Sequence, residues 1–384
     1  MPDKVFELRC DGTTAAELYP DVEFVEVDES LDGTSFAVRL RLHADASGEW
    51  DHVPDERFTP FTPLGVSLGF TGGGGPAALV EGWTVGSTLT LTGEEAYLDV
   101  LGQDAWAVLD QEEKVVAWPD LSDADIAQQI LSGAGLTADV TPTSPLRAAD
   151  MTTVVQRGTD GAFLRELARR NGFQVRFGVA GGRPSARFGP PQLDGSPLPD
   201  LAVRFGAGSN LRSFRVTVEG RHPLDVSSAQ VDPLTRQPVD VEVSRPHARS
   251  TGRTALADLT ADRLTRAARP LKAAGNLLLA ATAAADPTEL QARAQAARDE
   301  AAWFVEAAGE VNSDAYGAVL RAGRTVLVKG AGSLHSGLYQ VTRVVHRMHP
   351  AGEYRQRFEA RRNAVGLDGT ERFAAGSGLG LGLG

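Results

Sequence analysis

Several side chains in this sequence are of types that could do chemistry, and each constellation is tested first for its spacing. His43, Asp45, Asp51 and His52 lie close together, and imidazole with carboxylate suits zinc or nickel. Their setting reads instead as a polar loop. His346 and His349 flank Arg347-Met348; on a strand, positions three apart face opposite sides, so shared ligation is not expected. The acid pairs Glu94-Glu95 and Glu112-Glu113 are of the kind glycosidases use, but nothing around them marks an apolar pocket that would raise one pKa. Gly72-Gly73-Gly74-Gly75 lacks the Lys-Ser/Thr and the helix start that a phosphate cradle needs, so it reads as a hairpin loop. His-Glu-x-x-His, P-loop and Gly-x-Ser-x-Gly patterns are absent. The single cysteine, Cys10, excludes an intramolecular disulfide and a Cys-rich zinc site, and its alternating neighbours make it a small strand hydrophobe. No catalytic, cofactor-binding or metal residue is assigned, and the chain is not expected to be an enzyme. Arg355, Arg357, Arg361 and Arg362 form a basic cluster, either a solvated strand edge or a match for an acidic face of another subunit.

The elements that would position these residues are mainly β. Residues 1–115 alternate: Val22 to Val27 and Phe36 to Leu42 read as strands joined at Asp32-Gly33, followed by Leu64 to Phe70, Leu79 to Val85, Thr88 to Thr92 and Ala96 to Val100. Residues 116–198 change period and form a small α/β domain. Ser122 with Asp125 caps one helix, Thr159-Asp160 starts another, and Phe163, Leu164, Leu167 and Ala168 are its apolar stripe, ending at Asn171-Gly172. Strands return over 199–365, with a helical insertion at about 255–309. There Asp286-Pro287-Thr288-Glu289 opens a helix whose Leu290, Ala294, Ala297, Ala301, Phe304 and Ala308 recur at helical spacing up to Gly309. Residues 366–384 are a Gly-Leu tail expected to be flexible. The fold class is therefore α+β, mainly β: two similar β-barrel domains, an inserted α/β domain, and a helix before the last strands.

Composition narrows the function. The 384 residues carry 38 Lys and Arg against 50 Asp and Glu, a net charge of −12, which argues against non-specific duplex binding. Hydrophobic residues at 42% and charged residues at 23% are ordinary for a globular chain able to bury a substantial core. No apolar run reaches the ~18 residues of a membrane span, and no secretory signal is visible, so synthesis in a cytoplasm is expected.

The two β regions echo each other. Both read strand, Gly loop, long strand, turn, returning strand: Leu64 to Phe70, then Ala78 to Val85, then Tyr97 to Val100 in the first; Thr325 to Val328, Gly337 to His346 and Tyr354 to Ala360 in the second. Three copies of such a chain would offer six nearly equivalent units to a sixfold partner and remain threefold for another.

Three blocks carry a resemblance: Gly158-Thr159-Asp160-Gly161-Ala162-Phe163-Leu164-Arg165-Glu166-Leu167-Ala168-Arg169-Arg170-Asn171-Gly172-Phe173; Leu320-Arg321-Ala322-Gly323-Arg324-Thr325-Val326-Leu327-Val328; and Ser336-Gly337-Leu338-Tyr339-Gln340-Val341-Thr342-Arg343-Val344-Val345-His346-Arg347 followed by Gly352-Glu353-Tyr354. Together these are similar to the phage late control protein D family, the central hub of contractile tails, related to the N-terminal part of type VI secretion spike proteins and to hubs of extracellular contractile injection systems. The resemblance implies a homotrimer that adapts a threefold spike to a sixfold inner tube, with other baseplate components as partners and no membrane insertion or sequence-specific nucleic acid. The chain ends soon after the second barrel and has no β-helical needle repeats, so a separate spike chain is implied. The alternative is a tail-associated cell-wall hydrolase. A carbohydrate-binding β module, with aromatics at only 7%, ranks last.

Overall fold

In the computed structural model the described residues are 4–71, 75–143, 153–180, 183–231, 236–260, 276–279, 287–350 and 352–371. The fold is α+β and mainly β. The N-terminal array is built from β1 (Lys4–Cys10), a short β2 (Thr13–Thr14), β3 (Val22–Ser30), β4 (Gly33–Arg41), β5 (Pro63–Phe70), β6 (Gly75–Leu91) and β7 (Ala96–Gln103). Alternation sets its inner face. Phe36, Val38 and Leu40 of β4 are buried while Ser35 and Arg41 are exposed. Burial of each of those three apolar side chains contributes about 1.5–3 kcal/mol. Cys10 is buried as a strand hydrophobe. One expectation changes here. The runs 79–85 and 88–92 are one strand, because β6 continues through a bulge between Thr84 and Gly86. The extra residue bends the strand without ending its pairing, so the local sequence looks broken. The glycines Gly72 to Gly74 lie outside the described residues.

The α/β unit follows: α1 (Trp106–Leu109), β8 (Glu113–Trp118), α2 (Asp123–Gly133), β9 (Thr137–Val140), β10 (Val154–Thr159), α3 (Asp160–Asn171), β11 (Gln174–Ala180) and β12 (Arg183–Gly189). Ser122 and Asp125 form a reciprocal capping box on α2. Thr159 caps α3 by accepting from the Ala162 amide, and Gly172 closes it at φ +68°. The apolar stripe of α3 packs with Ile126, Ile130 and Leu131 of α2 around Trp106 and Phe188.

The C-terminal array begins with β13 (Leu198–Ala202) and β14 (Leu211–Val218). An excursion then adds β15 (Asp225–Val231), β16 (Pro238–Val243), β17 (Asn276–Leu279) and α4 (Pro287–Ala301), before β18 (Val305–Asn312), β19 (Thr325–Lys329), β20 (Gly337–Met348) and β21 (Tyr354–Arg362). The expected helical insertion at about 255–309 needs correction. Its helix stops at Ala301, Phe304 lies in the short link that follows, and Ala308 belongs to strand β18. In β18 burial alternates with period two, with Val305, Ala307 and Val311 inward and Ala308 outward, so Ala308 continues the helical spacing by residue type alone. Residues 276–279, expected within a partly helical stretch, are a strand parallel to β15. The proposed cap Asp286, most of the Ala-rich stretch before it and residues 372–384 of the Gly-Leu tail lie outside the described residues.

The two arrays pair in the same strand order, β1-β5-β6-β7-β4-β3 and β13-β19-β20-β21-β18-β14. The likeness extends to register. Trp83 opposes Pro63 as Gln340 opposes Thr325. The bulge of β6 against β7 at Val85 reappears in β20 against β21 at Thr342, and that of β3 at Glu23 reappears in β14 at Arg212. Phe61 and Gly323, both at positive φ (69° and 74°), donate their amides to Thr84 and Val341 at 2.7 Å each. One difference remains: β1 is antiparallel to β5, whereas β13 is parallel to β19. The expected two barrels appear as two similar arrays in one 13-stranded ladder, with no closure of either among the described residues. The merging has a physical cause. Strand β20 is long enough to serve two partners along one edge, β19 with its start and β3 with Arg343 to Met348.

Candidate functional site

The seam where β20 meets β3 holds a cluster of buried charges. Glu29, near the end of β3, is 2% exposed. Arg321, from the segment before β19, donates Nε to its Oε2 at 3.0 Å and Nη2 to its Oε1 at 3.1 Å. The Ala322 amide donates to Oε2 at 3.2 Å, and Arg176 of β11 donates to Oε1 at 3.3 Å. Arg321 also donates to the carbonyls of Ala78 and Leu79 on β6, at 2.9 and 3.2 Å. One carboxylate therefore ties together both arrays and the α/β unit.

Burial alone would push the Glu29 carboxyl up. The charge and hydrogen bonds of Arg321, with Arg176 and His346 beyond, outweigh it and hold the carboxyl below the ordinary range. His346 is fully buried beside it, with Nε2 4.0 Å from Glu29 and Nδ1 2.8 Å from the Tyr354 hydroxyl. Burial depresses its pKa to about 4, against the partial pull of Glu29, so the ring is neutral. A histidine held below its ordinary 6.5 resists protonation only in the folded chain. Its contribution is complete above that value and is lost as pH falls toward 4. The loss amounts to about 3 kcal/mol. Asp104 runs the other way. Burial raises it to about 6, so its contribution is present below 3.8 and vanishes as pH rises through 6. The His346 share is therefore read as a difference: denaturation of wild type and His346→Gln at pH 7.5 and pH 4 should show the wild type losing about 3 kcal/mol more than the variant. Parallel pH profiles would refute the assignment.

This cluster is fastened rather than reactive. Neither of the two main clefts is lined by Glu29, Arg321, His346 or Tyr354. The larger, about 1370 Å³, lies among α3, α4 and the outer face of the C-terminal array. Charges of both signs line it, among them Arg169, Arg215, Arg361, Glu300, Glu306 and Glu359.

The residues singled out from sequence scatter. Asp45 turns back on its own loop, accepting from Ser47 and Glu49. Asp51 accepts from the His43 amide. His52 donates or accepts at 2.9 Å with Asp21, which sequence reading had not placed there; Asp21, Asp51 and His52 converge as three potential ligands. Glu94, Glu95, Glu112 and Glu113 are exposed. His346 and His349 separate, as strand geometry requires, with His349 bonded to the Glu23 carbonyl. The basic cluster is engaged within the chain. Arg355 pairs with Glu353, Arg357 with Glu310 and Arg361 with Glu300. Arg362 is fully buried and donates to the carbonyls of Ser336, Thr251 and Gly366. Glu29 was missed, although one signal was available: it falls in the same inward phase as Val25 and Val27, where a carboxylate needs a buried partner.

A family model described as the Alg8 N-terminal domain matches residues 4–350. No curated protein matches the sequence. Among solved structures, the fold is similar to a tail protein from Neisseria meningitidis MC58 (TM-score 0.64, 10% identity, 95% of this chain and 98% of that one). It is also similar to the 43 kDa tail protein of prophage MuSo2 from Shewanella oneidensis (0.63, 11%, 94% and 99%). A third is an E. coli component of the type VI secretion system with structural similarity to the T4 tail proteins gp27 and gp5 (0.54, 14%, 93% and 76%). No helix among the described residues is long and apolar enough to cross a membrane.

Proposed function

The chain belongs to the Alg8 N-terminal domain family, and from its doubled fold and the likeness of that fold to tail proteins we propose that it is the structural central hub of a contractile tail or contractile injection particle, akin to phage late control protein D. Three copies form a ring. One face receives the sixfold inner tube and starts its polymerisation, and the other seats a threefold spike. Residues 1–115 and 199–365 act as the two near-equivalent units, with 116–198 outside them. The observation that carries the reading is the repetition of strand order, register and bulge positions in the two arrays. A chain with two alike units and one copy of everything else presents sixfold and threefold surfaces at once when trimeric. The fold shared with tail proteins and a type VI secretion component supports a structural role over a hydrolytic one. The buried seam has the same sense, since it holds charged groups away from any substrate.

Light scattering of the chain with its spike protein tests this. A complex whose mass equals three copies of the chain plus one threefold spike is expected, and a monomer in the presence of spike overturns it.

A further inference from the structure

The seam between the arrays is a template, and each array leaves one edge of it unmatched. In β20 the residues after the bulge, Arg343 to Met348, pair with β3 in antiparallel register, Arg343 opposite Ser30 and Met348 opposite Val25. In β6 the equivalent residues, Gly86 to Leu91, pair with β7 on one edge, and no described strand takes the other. In β14, the counterpart of β3, one edge pairs with β18 and the other is likewise open among the described residues.

Side chains distinguish these edges from ordinary ones. Superposing Thr342 on Val85 carries the buried His346 and Met348 onto Leu89 and Leu91, which are 43% and 47% exposed. Superposing Glu23 on Arg212 carries the buried Val25, Val27 and Glu29 onto Phe214, Val216 and Val218, the last 46% exposed. Long apolar edges left open are templates for another chain, and natural proteins usually blunt them with charge, proline or cover. Here two of the three buried seam positions on the β6 edge stay apolar, with Ser87 in place of Val344, and all three on the β14 edge do.

We propose that β6 of one chain pairs with β14 of a second copy, repeating between chains the β20–β3 joint made within each. The register follows from the template: Gly86 opposite Glu219, Thr88 opposite Thr217, and Leu91 opposite Phe214. The contact is heterologous, so successive copies join head to tail and close if the rotation permits. The inference deepens the ring reading above and rests on it for the number of copies.

Thr88→Cys and Thr217→Cys test the register, because facing Cβ atoms of an antiparallel pair lie within about 5.5 Å. Both residues are exposed, and the native Cys10 is buried. Mild oxidation of the mixed single variants with spike present should link Thr88→Cys to Thr217→Cys, and a chain carrying both should give closed covalent rings. Thr88→Cys mixed with Ser213→Cys, out of register, should link at least about tenfold less. Leu89→Asp or Val218→Asp should weaken association at least about tenfold, because each forces an unpaired carboxylate into the joint. Unchanged circular dichroism would show that the variants fold. A trimer that forms without the Thr88–Thr217 link overturns this pairing and leaves the hub reading intact. A linked species that is not a trimer supports the pairing and overturns the ring of three. A monomer under all conditions overturns both.

Discussion

Replacing Glu29 with alanine is expected to lower the unfolding free energy by about 3–5 kcal/mol, the cost of stripping a buried ion pair of one partner. Arg321 and Arg176 would keep their charges at the seam with no carboxylate between them. The Ala322 amide would lose its acceptor as well. Chemical denaturation at neutral pH measures the loss, and a change below about 1 kcal/mol would show that the network contributes little. A second variant separates charge from geometry. Replacing Glu29, Arg321 and Arg176 together by methionine should cost far less than Glu29→Ala alone, since well-packed apolar groups often substitute for a buried ionic cluster at little net cost. If the seam is the joint that orients the two arrays, Glu29→Ala should also broaden the particle mass distribution when spike is present.

Trp106→Ala is the second large effect, expected at about 3–5 kcal/mol. Trp106 is 1% exposed, meets Phe177 edge-on with ring centroids 4.8 Å apart, and is covered by the Arg165 guanidinium at 3.7 Å. Its cluster includes Ile126, Phe163 and Leu164, so the cavity would open between the end of β7 and the α/β unit. Trp106→Phe retains most of the volume and should cost less than half as much as the truncation. Among the described residues the indole Nε1 has no hydrogen-bond partner, so the phenylalanine variant forfeits none of their bonds at that atom. Equal losses for the two variants, read from thermal melts and denaturant midpoints, would mean that the pocket collapses around either residue.

Much of the layout was legible from local signals. Ser122 with Asp125 and Thr159 with Gly172 mark helix ends through bonds to amides a few residues away, and the structure has them in those roles. Phe36, Val38 and Leu40 declare a buried strand face by period alone. Errors came where a small apolar residue at helical spacing sits on the exposed face of a strand, as at Ala308, or where a bulge imitates a break, as at Val85.

By itself the sequence determined most element types, the two alike β regions and the acidic, single-cysteine character of the chain, because these depend on neighbours or on simple counts. Only the tertiary structure decided that β20 would serve both arrays, that Glu29 would find Arg176 and Arg321 across 147 and 292 residues, and that no described strand would take the free edges of β6 and β14. A strand edge carries the same backbone donors and acceptors whatever its sequence. Which edge it meets is therefore settled by the path of the whole chain and by the side chains that path buries.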